Sequence, residues 1–193
     1  MKKVFIVHGW ASSSEKDPIY GWLKAELEAK GFEVSVPDLP NSEEPKIDEW
    51  MPFIKNLVPN PDEQTFFITH SLGGQATLRY LESLPENTKI GGVVMIAPWV
   101  HLLDTSYEEE NDKEIAKPWL ETPIDWEKVK SHTDKFVAIF SDNDFCVPLS
   151  DKDIFKGLLG AEIIVEDNKG HFTDEDNITE IPSALNALLE MAK

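Results

Sequence analysis

The sequence predicts an α/β domain, a mainly parallel sheet with helices on both faces. Two observations predict it. Short apolar runs alternate with helical patterns along the whole chain, and the runs are apolar throughout instead of at every second position, as strands buried on both faces read. The length of 193 residues suits a single domain spanning 1–193 with a sizeable core.

The elements follow in order. "KKVFIVHG" (2–9) reads as a buried strand closed by glycine. A helix is expected from Pro18 to Lys30, with Leu23 and Leu27 four apart and Gly31 at its end. "FEVSVPDLP" (32–40) reads as a second strand stopped by Pro37. Ile47, Trp50, Met51, Ile54, Leu57 and Val58 make an apolar stripe at helical spacing, in which Pro52 marks either a kink or a first turn. "TFFITH" (65–70) is the third strand and Leu72 to Leu84 the helix behind it. Further strands are expected at 89–98, 135–142 and 161–167, and a last helix from Pro182 to Met191. Residues 99–125 exceed a simple connection and carry two tryptophans, which suggests a lid-like insertion.

Composition narrows the function. A formal net charge of −18 repels phosphate backbones and anionic lipid, so neither nucleic acid nor membrane is an expected partner. Cys146 is the single cysteine, which rules out an intramolecular disulfide. The apolar run before His8 is too short for a signal-peptide core, and a cytoplasmic location is expected.

The chemistry centres on "TFFITHSLGG" (65–74). A serine between strand and helix can serve as an ordinary N-cap. A nucleophile held on a sharp, strained strand-to-helix turn instead needs small residues two before and two after it. Gly73 meets the second need and Gly74 suits close packing of the helix, while Thr69 stands where glycine is commonest. Such a serine requires a base, an acid to orient that base, and donors for an oxyanion. Of the five histidines, only His171 follows the last strand, in "EDNKGHFTDED". The acid is expected after the preceding strand, in "FSDNDFCVPLS". There Asp144 is preferred because it lies past the strand end, with Asp142 as the alternative. The oxyanion donors would be the amides of Leu72 and Trp10, the latter in "HGWASS" after the first strand.

Together "VHGW", "THSLGG", "SDNDFCVP" and "GHF" resemble the small YdeN-like and retinoblastoma-binding-protein-like serine hydrolases, over nearly the whole chain. The resemblance implies a compact α/β-hydrolase with six strands in the order 2-1-3-4-5-6. It also implies Ser71 as nucleophile, Asp144 as acid and His171 as base, and carboxylesterase-type activity. The expected reaction is hydrolysis of a small carboxylic ester, or a thioester or amide, with neither cofactor nor metal. The alternative is a binding or regulatory protein that keeps the fold and a vestigial triad.

Other residues read more plainly. Trp10 and Trp99 follow strands whose ends ring the site, so each either lines a substrate pocket or lies in the core beneath the insertion. Trp119 reads as core, Cys146 as a small buried apolar residue or a bystander, and His8 and His70 as hydrogen-bonded framework. "TDEDN" (173–177) and "YEEEND" (107–112) read as solvated acidic stretches.

Overall fold

The computed structural model describes residues 1–14, 16–107 and 109–193, so Glu108 of the 107–112 acidic run lies outside the described residues. The strands are β1 (Lys3–Val7), β2 (Glu33–Ser35), β3 (Thr65–His70), β4 (Gly92–Ile96), β5 (Phe136–Ser141) and β6 (Glu162–Glu166). They form one sheet in the order β2-β1-β3-β4-β5-β6, every pair parallel. This is the α/β-hydrolase arrangement. The helices are α1 (Pro18–Glu28), α2 (Ile47–Leu57), α3 (Leu72–Glu82), α4 (Asp112–Glu121), α5 (Trp126–Ser131), α6 (Asp151–Leu159) and α7 (Pro182–Met191).

Strand pleating divides the core in two. Val4, Ile6, Phe66, Ile68, Val94 and Ile96 face α1 and α7, whereas Val7, Phe67, Met95 and Phe140 face the layer that holds Trp50, Leu81 and Phe155. Every residue of β3, β4 and β5 is buried, as their apolar runs require. β6 departs from that pattern. It pairs only with β5, and Val165 is 43% exposed, because an edge strand has a neighbour on one side only. β2 keeps three residues of the nine expected. Pro52 lies in the interior of α2, beyond its first turn.

Residues 99–125 carry more regular structure than the sequence suggested. A 3₁₀ turn at Asp104–Ser106 precedes α4, and α4 is fastened to the body of the protein. Trp119 is buried with its ring 5.6 Å from that of Trp50, and its Nε1–H donates to the Pro45 carbonyl at 2.9 Å. The buried Arg79 of α3 donates from Nη2 to the carbonyls of Trp119 (3.0 Å) and Thr122 (2.6 Å) at the C-terminal end of α4. Those carbonyls have no intrahelical donor and suit a cation. At the other end of the segment, the fully buried Asp151 accepts from the amides of Val100 (2.7 Å) and His101 (2.8 Å).

Because all strands run the same way, the turns after β1, β3, β4, β5 and β6 gather along one edge of the sheet. Ligands bind at that edge in open α/β sheets.

Candidate active site

Ser71 sits between β3 and α3 with φ 49° and ψ −120°, a left-handed conformation that costs a non-glycine residue about 1–3 kcal/mol. It occupies the N-cap position of α3, yet its hydroxyl makes no capping bond, so the ordinary helix-cap role is not what it performs. Packing from both sides holds the bend. The Ser71 amide donates to the Ile96 carbonyl at 2.9 Å, tying the bend to β4. A Cβ added at Gly73 would lie 2.2 Å from the Val7 carbonyl oxygen, so only glycine lets α3 approach β1 this closely. One at Gly74 would meet nothing nearer than Thr69 Oγ1 at 3.4 Å. The close-packing role assigned to Gly74 therefore belongs to Gly73. Thr69 is fully buried in β3.

The turn after β1 passes beside the serine: a Cβ at Gly9 would lie 3.2 Å from Ser71 Cβ. The next residue is Trp10. Its indole Nε1–H donates to the Glu43 carbonyl at 2.9 Å, and Ala11 N–H donates to the Ser42 carbonyl at 2.7 Å. Leu72 is the first residue of α3, so its N–H has no intrahelical acceptor and belongs to the positive end of the helix.

His171 lies at the same edge of the sheet, and its backbone and ring are held from four directions. Its Nδ1–H donates to Asp144, with Oδ2 at 2.9 Å and Oδ1 at 3.1 Å, which leaves Nε2 as the nitrogen able to accept a proton. Its amide donates to Asp176 Oδ2 at 2.8 Å, its carbonyl accepts from His70 Nε2 at 2.8 Å, and the ring of Phe145 stands 6.1 Å away edge-on. Asp144 Oδ1 also accepts from the amides of Cys146 (2.7 Å) and Val147 (3.0 Å), which fix the carboxylate. Asp142, the alternative acid, is exposed and accepts from the amide of Asn168 at 2.7 Å, a structural bond. The structure thus brings Asp144 to His171 and leaves Asp142 aside.

His70 is the hub behind this arrangement. The Tyr20 hydroxyl donates to its Nδ1 at 2.9 Å, so Nε2 carries the proton given to the His171 carbonyl. The His70 and His171 rings lie 5.1 Å apart. Burial, and then repulsion from a charged His171, push the His70 imidazolium down to about 4. Burial and the nearby Asp17 raise the Tyr20 hydroxyl above its ordinary range, so it remains a donor. His8 is likewise buried and neutral-favouring, donating from Nδ1 to Gly9 and accepting at Nε2 from the Leu39 amide. His101 pairs with Asp151 at 2.8 Å and His132 with the Thr88 carbonyl at 2.8 Å.

Several residues of this site carry no recognisable sequence signal. Asn143 Oδ1 accepts from Ser141 Oγ (2.8 Å) and from Gly170 N–H (2.9 Å), joining the acid loop to the histidine loop. Within the "TDEDN" stretch, Asp176 is an internal acceptor for His171 and Thr173, whereas Asp174 and Glu175 are exposed as expected. Phe145, 39% exposed, presents an apolar ring beside His171, and the Leu103 N–H donates to the Cys146 carbonyl at 2.9 Å. The Trp99 side chain is 2% exposed and packs in the core beneath the insertion, the second of its two expected placements.

The profile described as "Serine hydrolase" matches residues 4–190. The YdeN protein of Bacillus subtilis (strain 168) is 26% identical over 187 residues, covering 97% of this chain and 94% of that one. Serine hydrolase RBBP9 of Rattus norvegicus is 25% identical over 170 residues, covering 88% and 81%. The crystal structure of the ydeN gene product from B. subtilis superposes with a TM-score of 0.89 at 25% identity, covering 99% of this chain and 98% of that one. Among the described residues, no helix is long and apolar enough to cross a membrane.

Proposed function

This chain belongs to the serine hydrolase family, and on that premise we propose that it hydrolyses a small uncharged carboxylic ester through an acyl-enzyme on Ser71, with thioesters and amides as related acyl donors. Ser71 Oγ attacks the acyl carbonyl while His171 Nε2 takes its proton. Asp144 keeps the imidazole in the Nδ1–H tautomer and stabilises the imidazolium as it forms. The amides of Leu72 and Trp10 hold the developing oxyanion. The alcohol leaves with the proton from His171, and water repeats the two steps to release the acid.

One observation carries this reading: an imidazole with Nδ1 engaged by a carboxylate at 2.9 Å lies at the same sheet edge as a serine held at φ 49°. The net charge of −18 weighs against an anionic substrate, and the exposed Phe145 ring beside His171 offers an apolar contact to an uncharged acyl group. A fluorophosphonate probe is expected to label the wild-type protein once, and Ser71→Ala to abolish labelling with an unchanged circular dichroism spectrum. Labelling that persists in the Ala variant removes Ser71 from the mechanism. Labelling without turnover across esters of graded chain length favours the binding or regulatory role.

A further inference from the structure

We propose that a thiophilic divalent cation of the Zn²⁺ class binds between Asp144, Cys146 and His171 and switches the hydrolase off by replacing the proton on His171 Nδ1. One ligand atom from each residue lies within 4.8 Å of the other two. Asp144 Oδ2 and His171 Nδ1 are already 2.9 Å apart. The backbone of Cys146 is pinned on both sides, its amide to Asp144 Oδ1 at 2.7 Å and its carbonyl to Leu103 N–H at 2.9 Å. The thiol sulfur is thereby kept within 4.8 Å of the Asp–His pair.

The donor set selects the metal. Thiolate sulfur, imidazole nitrogen and one carboxylate oxygen suit Zn²⁺ or Cd²⁺, whereas Mg²⁺ and Ca²⁺ require oxygen ligands. Bonds of about 2.0–2.3 Å place neighbouring ligands of a tetrahedral site roughly 3.3–3.8 Å apart. Reaching that spacing opens the Asp–His contact by a few tenths of an ångström and brings the thiol inward by about 1 Å, within the reach of a χ1 adjustment.

The charges and protons balance. Metal–sulfur, metal–nitrogen and metal–oxygen bonds form, and the thiol S–H and imidazole Nδ1–H bonds break. The thiol proton leaves to solvent, while the imidazole proton moves to Nε2. Carboxylate and thiolate neutralise the dication and the imidazole stays neutral. A protonated Nε2 accepts nothing from Ser71, so the cation arrests the base by fixing the opposite tautomer. The inhibitory effect rests on the assignment of His171 as base; the binding does not.

The test titrates Cd²⁺ into the protein and follows the thiolate-to-metal charge-transfer absorbance, with Zn²⁺ inhibition of ester hydrolysis measured in parallel. Cys146 is the chain's only cysteine, so a band has a single source. The expected result is a band saturating at one equivalent in the wild type and in Ser71→Ala, and absent in Cys146→Ser and Cys146→Ala. Zn²⁺ inhibition, measured against each variant's own uninhibited rate, should weaken at least about tenfold in both Cys146 variants. The proposal is overturned if the wild type shows no band, or if the Cys146 variants remain as sensitive to Zn²⁺ as the wild type. A band without inhibition overturns the switching role and leaves the assignment of His171 as base untouched, because the band reports thiolate ligation alone.

Discussion

The Nε2–H of His70 donates to the carbonyl of His171 at 2.8 Å across 101 residues of sequence, so the residue before the proposed nucleophile holds the backbone of the proposed base. The two groups that must meet are thereby fixed relative to one another by one buried imidazole, whose tautomer is set in turn by Tyr20. Removing that bond should cost rate more than binding. His70→Ala is expected to lower kcat roughly 10- to 100-fold with KM little changed, the scale of a displacement near 1 Å. His70→Gln, which keeps an N–H donor, should recover part of the loss. Equal rises in KM and falls in kcat would point to general unfolding of the site.

Asp144 and Asp142 should separate sharply in kinetics. Asp144→Asn leaves His171 Nδ1 without its anionic acceptor and is expected to lower kcat by about 10³- to 10⁴-fold, as loss of the orienting carboxylate does in other triads. Asp142→Asn touches only the Asn168 turn and should retain activity within about threefold, since exposed single hydrogen bonds contribute about 1 kcal/mol or less. Steady-state rates on one ester, with thermal melts of both variants, check the pair. Similar losses in the two would remove Asp144 from its proposed place.

Acid should weaken the fold through His8 and His70. Both are buried with depressed proton affinity, His70 down to about 4. Above the unfolded value near 6.5 neither state binds a proton at these sites, so their contribution is fully present. As the pH falls below 6.5 the unfolded chain takes up protons that the native imidazoles refuse, and stability declines toward pH 4. Each histidine contributes a slope of up to about 1.4 kcal/mol per pH unit. Urea midpoints at pH 7.5, 6.0 and 5.0 should fall in that order, with a shallower fall in His70→Gln. Equal midpoints at all three values would mean that neither imidazole is buried neutral.

Three glycines give a graded stability series. Gly73→Ala places a methyl 2.2 Å from a backbone carbonyl of β1 and is expected to cost at least about 2–3 kcal/mol while distorting the serine turn. Gly74→Ala meets ordinary contact distances and should stay within about 1 kcal/mol of wild type. Gly157→Ala, in α6 with nothing within 4 Å of the new Cβ, should stabilise by about 0.5–1 kcal/mol. Thermal melts rank the three, and a Gly73→Ala protein as stable as wild type would contradict the packing of α3 on β1.

Much of this was legible in residue order because its cause is local. The apolar runs of β3, β4 and β5 are buried on both faces, so their sequences announce them. The strained serine turn advertises itself through Gly73, and the Asp144 and His171 loops follow their strands in the expected order. What stayed hidden depends on neighbours distant in the chain. α4 contains Pro118 and a polar surface, and it is helical because Trp119 and Arg79 fasten it to other elements. Tyr20, Asn143 and Asp176 read as unremarkable residues of a helix and two loops, since their importance lies in hydrogen bonds to partners that folding alone delivers. β6 differed because edge position is a property of the assembled sheet.

The anchorage of the long crossover has a bearing on redesign. Asp151 grips its entry at Val100 and His101, and Arg79 grips its exit at Trp119 and Thr122, both from elements that belong to the sheet layers. Leu103 and Thr105 also bond the Phe145–Cys146 backbone beside Asp144, so residues 109–118 are the replaceable part of the crossover. A library confined to it could vary selectivity for the substrate while Ser71, His171 and Asp144 keep their positions, so that specificity can evolve without renegotiating the scaffold.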